Sequence, residues 1–335
     1  MPVKTAVLLT NLGTPDRLDR ASVRRFLQAF LSDPMVVGLP RLLWIPLLYG
    51  VILPLRSAKT LAAYRRVWGE QGSPLMAFSI RQKTSLQHRL GERVRVALAM
   101  RYGNPSFEST LISLPHDIEK LVVLPLYPQF SNTTTATTRV HLDKCLARLK
   151  LAPAIKFIDS YYDHPAYIEA LAKSVRDHWQ QQQRHLLISF HGLPQVNVER
   201  GDPYQEQCEE TARLLAEKLA LTDSQWSIGY QSRFGRQTWI QPYTADVLAA
   251  LVNRGIVAVD VICPGFSADC LETLDEIQIE YQDLFIKYGG EEFHYIAALN
   301  DDDSHIEMMY SLVQPCLSAG TLADADRINS SMRCL

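Results

Sequence analysis

Short apolar runs rich in Val, Leu and Ile alternate along the chain with longer stretches whose apolar residues recur every three or four positions. The runs at 5–11, 94–100, 120–126, 155–158, 185–190 and 257–263 predict strands. The stretches at 22–31, 78–90, 105–111, 137–149, 165–182, 203–221, 246–253 and 271–288 predict helices, with 306–317 as a closing helix. Near-continuous apolar strands separated by helices are the pattern of parallel sheets covered on both faces, so the predicted class is α/β. With 335 residues the chain exceeds one ordinary core, and two doubly wound halves are expected. They would be residues 1–150, completed by the closing helix, and residues 151–300.

The polar motifs fall where these strands end. The first strand runs into Asn11-Leu12-Gly13-Thr14-Pro15, the second into Arg101-Tyr102-Gly103-Asn104-Pro105, and the third into Tyr127-Pro128-Gln129-Phe130-Ser131-Asn132. Ser189-Phe190-His191-Gly192-Leu193-Pro194 closes the fifth, and Pro264-Gly265-Phe266-Ser267 leads from the sixth into an acidic helix. Open α/β sheets bind ligands beyond the carboxyl ends of their strands. Two such halves therefore imply a cleft between them, with the acidic helix starting at it.

In that helix Asp269, Glu272, Glu276 and Glu280 are spaced 3, 4 and 4. At roughly 100° per residue they share an arc of about 80°, and Leu271, Leu274, Ile277 and Tyr281 take the opposite arc. Like charges four apart cost an isolated helix about 0.2–0.5 kcal/mol each. A solvated acidic face is the plainer alternative, but at a cleft the ladder suits cations or protons. His191 stands on a turn constrained by Gly192 and Pro194. A neutral imidazole takes a proton or a borderline divalent metal, and a carboxylate orients it or shares the metal. One histidine and one carboxylate are too few for a resident metal and suit one that passes through as a substrate.

Composition narrows the classes. With 34 basic and 36 acidic residues, net −2, there is no basic patch to support a nucleic-acid partner. Cys145, Cys208, Cys263, Cys270, Cys316 and Cys334 include no C-x2-C pair, so neither a zinc site nor a disulfide framework is expected, and a reducing cytoplasm is. The N-terminal apolar run is too short for a signal segment. Residues 39–55 are the most apolar stretch, cut by Pro40, Pro46 and Pro54. Its length and prolines argue against a membrane span and leave buried core, or an exposed lip that takes an apolar ligand or rests on a bilayer.

Nucleotide and hydrolase readings fail: there is no phosphate-binding glycine loop, and Gly265-Phe266-Ser267 lacks the last glycine of a nucleophile elbow. Ser267 is better read as a helix cap. Arg101-Tyr102 suits an aromatic ligand with acidic groups, or is a structural pair. Arg66 and Ser232 could serve ligand carboxylates or be surface groups, and Trp239 could floor a flat pocket or sit in the core.

The ordered set Tyr64-Arg65-Arg66, Arg101-Tyr102, Leu126-Tyr127-Pro128-Gln129-Phe130-Ser131, Ser189 to Pro194, Arg200-Gly201-Asp202-Pro203-Tyr204, Tyr230-Gln231-Ser232-Arg233 and Phe266 to Tyr281 resembles the ferrochelatases. These lyases insert ferrous iron into a porphyrin in haem synthesis. The resemblance covers nearly the whole chain. It implies two Rossmann-like domains, each a parallel sheet flanked by helices, with the active-site cleft between them. It makes His191 and Glu272 the catalytic pair and site of the Fe2+ substrate, with Glu276, Glu280 and Asp269 as an acidic path on a helix often bearing a π-type irregularity. Porphyrin contacts would involve Leu12, Arg66, Arg101, Tyr102, Tyr127, Ser232 and Trp239, with residues 39–55 as the apolar lip and a bent macrocycle presenting its nitrogens to iron.

Three departures matter. Asn132 stands near a position where cluster-bearing relatives have cysteine, and Cys316 and Cys334 complete no trio, so no iron–sulfur cluster and no permanent cofactor are expected. Cys270 occupies a place where many relatives have histidine. Leu12, rather than tyrosine, points to protoporphyrin IX over coproporphyrin. A monomer with peripheral membrane contact through the lip is the expected state. A non-catalytic haem or metal carrier and a cobalt or nickel chelatase are the alternatives.

Overall fold

The computed structural model describes residues 3–318 except 181 and 236. Eight strands are formed: β1 (Thr5–Asn11), β2 (Val94–Met100), β3 (Lys120–Pro125), β4 (Ala154–Phe157), β5 (His185–His191), β6 (Trp226–Gln231), β7 (Ala258–Ile262) and β8 (Glu292–Ile296). They make two four-stranded parallel sheets with the orders β2-β1-β3-β4 and β6-β5-β7-β8. Helices cover both faces, which is why the central strands are apolar throughout: Ala6 to Leu9 and Leu186 to Ile188 are fully buried. One core cluster joins the two sheets through the helices Pro74–Leu90, Pro165–His178, Tyr204–Lys218 and Asp303–Ser318.

Three expectations need correction. β6 and β8 were not foreseen, because Trp226-Ser-Ile-Gly-Tyr-Gln carries an interior glycine and Glu-Phe-His-Tyr-Ile is a half-exposed edge. The glycine has a reason: a Cβ at Gly229 would meet Thr244 at 2.8–3.0 Å, so the helix Thr244–Asn253 packs directly on the strand backbone. The boundary expected at 150 also moves. β4 pairs with β3, so the first sheet runs through Phe157, and the closing helix packs against β3 as well.

Thirdly, the prolines at 46 and 54 do not break the apolar stretch. Arg41–Val67 is one helical run of 27 residues, made of Arg41–Leu47, a π-helical turn Leu48–Ile52, and Leu53–Val67. It is therefore long and apolar enough to cross a membrane by length and composition. One face is nevertheless committed to the protein: Trp44, Leu48, Leu53, Leu61 and Tyr64 pack on Val23, Leu27 and Leu31. The buried positions 44, 48, 53, 57 and 61 step by four except across the π turn. The extra residue there keeps the face aligned while a proline passes. The opposite face stays open, with Leu42 91% and Leu43 73% exposed.

Candidate active site

In both sheets the strand order reverses between the two central strands, and it is beyond the carboxyl ends at such a switch point that open α/β sheets bind ligands. In the second sheet those strands are β5, which ends on His191, and β7, which leads through Pro264 to the acidic segment. The topology thus sets the two most informative sequence features side by side.

His191 is half-buried, and its Nδ1 lies 2.7 Å from the carbonyl oxygen of Gly192. A carbonyl only accepts, so the neutral ring carries its proton on Nδ1 and presents the Nε2 lone pair outward. The turn is compact because a Cβ on Gly192 would lie 2.8 Å from the Gln231 carbonyl and 3.1 Å from the Trp239 ring. Trp239 and Phe266 flank the imidazole at ring-centroid distances of 6.3 and 6.5 Å. The Trp239 indole N–H is fixed on the Phe234 carbonyl at 2.8 Å.

The acidic segment Glu272–Tyr281 is a π-helix of 10 residues, followed by the α-helix Gln282–Tyr288. Its i→i+5 bonding undoes the four-membered stripe and the single apolar arc expected on α-helical geometry. Thr273, Asp275 and Ile277 are its buried residues. Leu271 packs toward the lip helix, whereas Ile277 and Tyr281 pack into the core of the second sheet.

Each acid has a separate setting. Glu276 accepts from the Ser232 backbone N–H at 2.7 Å and from the Ser232 hydroxyl at 2.5 Å, with Gln231 Nε2 at 3.4 Å. Burial raises its pKa; Ser232 and His191 pull it back, and Glu272 adds to the rise. Glu276 is therefore within electrostatic reach of both His191 and Glu272. The Glu272 carbonyl is held by Gln231 Nε2 at 2.9 Å. Its carboxylate neighbours the buried Tyr64 and Cys270, whose pKa values are raised by burial and further by Glu272. Arg56, lowered by burial and supported by Glu272, lies over the Phe234 ring at 4.5 Å and reaches from the lip helix across the mouth.

The other expected residues lie elsewhere. Asp269 is 3% exposed and saturated: it accepts from Tyr295 Oη at 2.6 Å, Thr273 Oγ1 at 3.0 Å and Asn300 Nδ2 at 2.7 Å. It anchors the turn before the π-helix and faces no cleft. Glu280 is on the rim, where Arg66 Nη2 reaches it at 3.1 Å. Arg66 also grips Asp275 through two N–H groups, at 2.5 and 2.7 Å, so it clamps the lip helix to the π-helix. Arg101, Tyr102 and Tyr127 form their own group on the first sheet, around Asp33 and Thr137. Leu12 stands at the end of β1, its carbonyl taking the Tyr102 N–H at 2.8 Å. Ser267 caps no helix: its hydroxyl donates to the Leu126 carbonyl at 3.0 Å, tying the two sheets together. Gln231 and Phe266 lie in motifs read from the sequence but were given no role there, and Arg56 was not singled out at all. Asp275 lies off the stripe that α-helical spacing picks out, and only the π geometry turns it toward Arg66.

Among the described residues no group of three or more His, Cys, Asp or Glu side chains could hold a metal ion. The family model for ferrochelatase matches residues 4–317. The chain belongs to the ferrochelatase family. Ferrochelatases are lyases that insert ferrous iron into a porphyrin in haem synthesis, and this chain carries that chelatase activity. It is 49% identical to the ferrochelatase of Vibrio parahaemolyticus over 314 residues, 93% of this chain and 98% of the relative. It is likewise 49% identical to that of Aeromonas hydrophila, with the same two shares. SirB from Bacillus subtilis, solved with Fe3+, shares the fold at a TM-score of 0.58 and 12% identity, over 94% of this chain and 96% of that one.

Proposed function

We propose that this ferrochelatase metallates protoporphyrin IX at His191 and Glu272. The observation that carries the assignment is the pairing of an Nε2 lone pair, made available by the Nδ1···Gly192 bond, with carboxylates across the β5/β7 switch point. Porphyrin must release two pyrrole protons as the ion enters. His191 Nε2 accepts a proton from the ring, and Glu272 lends a carboxylate to the arriving ferrous ion. Glu276, half-buried and raised in pKa, takes the proton from His191 as a carboxylate and passes it outward, and the same relay runs a second time for the second pyrrole proton. Glu280 on the rim is the outward end of that path.

Trp239 supports one face of the macrocycle, and the apolar side chains of Leu42, Leu43 and Leu47 receive its edge while holding the membrane surface that delivers it. Leu12 at the cleft wall favours protoporphyrin over coproporphyrin. Asn132, with no thiol to offer, supports a reading in which the protein works without an iron–sulfur cluster, and we place it in the cytoplasm as a monomer; Cys334 lies outside the described residues. Anaerobic ferrous insertion, measured with both porphyrins for wild type, His191→Ala and Glu272→Ala, tests the assignment. Losses of about 100-fold or more are expected, and full activity in either variant would reject the site.

A further inference from the structure

The first sheet borders a cavity of about 270 Å³ whose lining includes none of His191, Trp239, Phe266, Glu272 and Glu276. It lies between the end of the helix Arg20–Leu31, the loop after β2, and the helix Thr137–Leu149. Ser32, Arg101, His141 and Lys144 bring polar groups to it.

The only acid in its lining is already committed. Asp33 Oδ2 accepts from Arg101, from Tyr102 Oη at 2.8 Å and from Thr137 Oγ1 at 2.8 Å, while Oδ1 takes the Met35 N–H at 2.8 Å. Arg101 commits Nε and Nη2 to Thr137 and Asp33, which leaves Nη1 open among the described residues. Lys144, one turn along the helix from His141, makes no hydrogen bond or ion pair with a described residue. The Ser32 hydroxyl is buried without a partner. Buried hydroxyls and open cationic N–H groups call for an acceptor.

The field agrees. The His141 pKa is pushed down to about 4, first by burial and then by Arg101, Arg148 and Lys144, while the Asp33 charge opposes them. A neutral imidazole in a positive field accepts neither a cation nor an apolar guest well. It can donate a hydrogen bond to an anion.

We propose that this cavity binds a small oxyanion, phosphate or a compact polycarboxylate, between Arg101, Lys144 and the Ser32 hydroxyl. Charge-assisted bonds to such an anion are the strong kind. The site also touches the cleft mechanically: Arg101 and Tyr102 donate their backbone N–H groups to the carbonyls of Asn11 and Leu12, each at 2.8 Å. An anion that fixes Arg101 thereby steadies the Leu12 wall, so porphyrin KM responds to it while the metallation groups are untouched.

Binding can be read without any assay of chelation. Phosphate and citrate are each titrated into the full-length protein at constant ionic strength, balanced with chloride, with the His141 imidazole resonances and binding heat followed. Saturable binding at millimolar concentration or below is expected. The tighter of the two identifies the source, and equal binding marks a cavity that takes oxyanions without distinction. Lys144→Glu, on an exposed position, should weaken binding at least tenfold with ferrous insertion in anion-free buffer unchanged, and Ser32→Ala should weaken it severalfold. Absence of saturation with both anions, or equal affinity in wild type and Lys144→Glu, overturns the proposal. Neither outcome bears on His191 and Glu272.

Discussion

Ser232 holds the Glu276 carboxylate by its backbone N–H at 2.7 Å and its hydroxyl at 2.5 Å, and does so in a left-handed conformation with φ of +66°. Few non-glycine residues adopt that region. Here it turns both donors onto one acid.

The hydroxyl is one of the groups that lower the Glu276 pKa against burial. Ser232→Ala should therefore raise it further and move the acid limb of kcat/KM to higher pH by about half a unit to one unit, since each unit corresponds to about 1.4 kcal/mol. A pH–rate profile measures this, and an unmoved limb counts against Glu276 as proton acceptor.

A carboxylate whose folded pKa is raised binds protons more tightly folded than unfolded. It contributes stability at low pH that is lost as pH rises through the folded pKa. Glu276→Gln should thus unfold at a higher temperature than wild type at pH 8, with the gap closing toward pH 4.5, while ferrous insertion falls. Thermal melts across this range separate the stability effect from the catalytic one.

Arg66 and Asp275 make the bond that closes the lip helix onto the π-helix. Asp275 has a side chain 6% exposed and Arg66 one 44% exposed. Removing the arginine leaves the buried acid without its charged partner, which costs about 1–3 kcal/mol. Arg66→Met should lower stability by that amount and raise porphyrin KM more than it lowers kcat. Asp275→Asn in the Arg66→Met background should add less than it does alone, and strict additivity in the double-mutant cycle would deny the clamp.

His305 is fully buried, with Nδ1 2.6 Å from the Asn300 carbonyl, and burial lowers its pKa to about 4. The unfolded chain takes up the proton near 6.5 and the folded protein near 4. Stability is therefore present in full above about pH 6.5 and falls as pH drops through that window. Replacement by Gln should flatten the pH dependence of urea unfolding between pH 6.5 and 4, at some cost in stability at neutral pH.

Gly13 has φ of +109°, and a Cβ there would lie 1.7 Å from the Tyr102 carbonyl oxygen. Gly13→Ala must displace backbone, and a loss of more than about 2 kcal/mol is expected in equilibrium unfolding. Activity should fall with it, because the same turn carries Leu12.

The sequence by itself determined the α/β class, most of the strands and the family, and it singled out His191 and the 269–280 acids as candidates. Those features rest on local periodicity and on motifs at strand ends, which one dimension carries. It misread the helix at 41–67, because propensity sees Pro46 and Pro54 but not the π turn between them that realigns the buried face. It also made four acids one ladder. Tertiary structure gave each a different neighbour: Ser232 for Glu276, Arg66 for Glu280, Tyr295 and Asn300 for Asp269, and Arg56, Tyr64 and Cys270 around Glu272. Those partners come from distant parts of the chain, and a π-helix rotates side chains away from where 3.6 residues per turn would set them. The sequence could name the acids, but only packing between distant segments decided which neighbours each of them has.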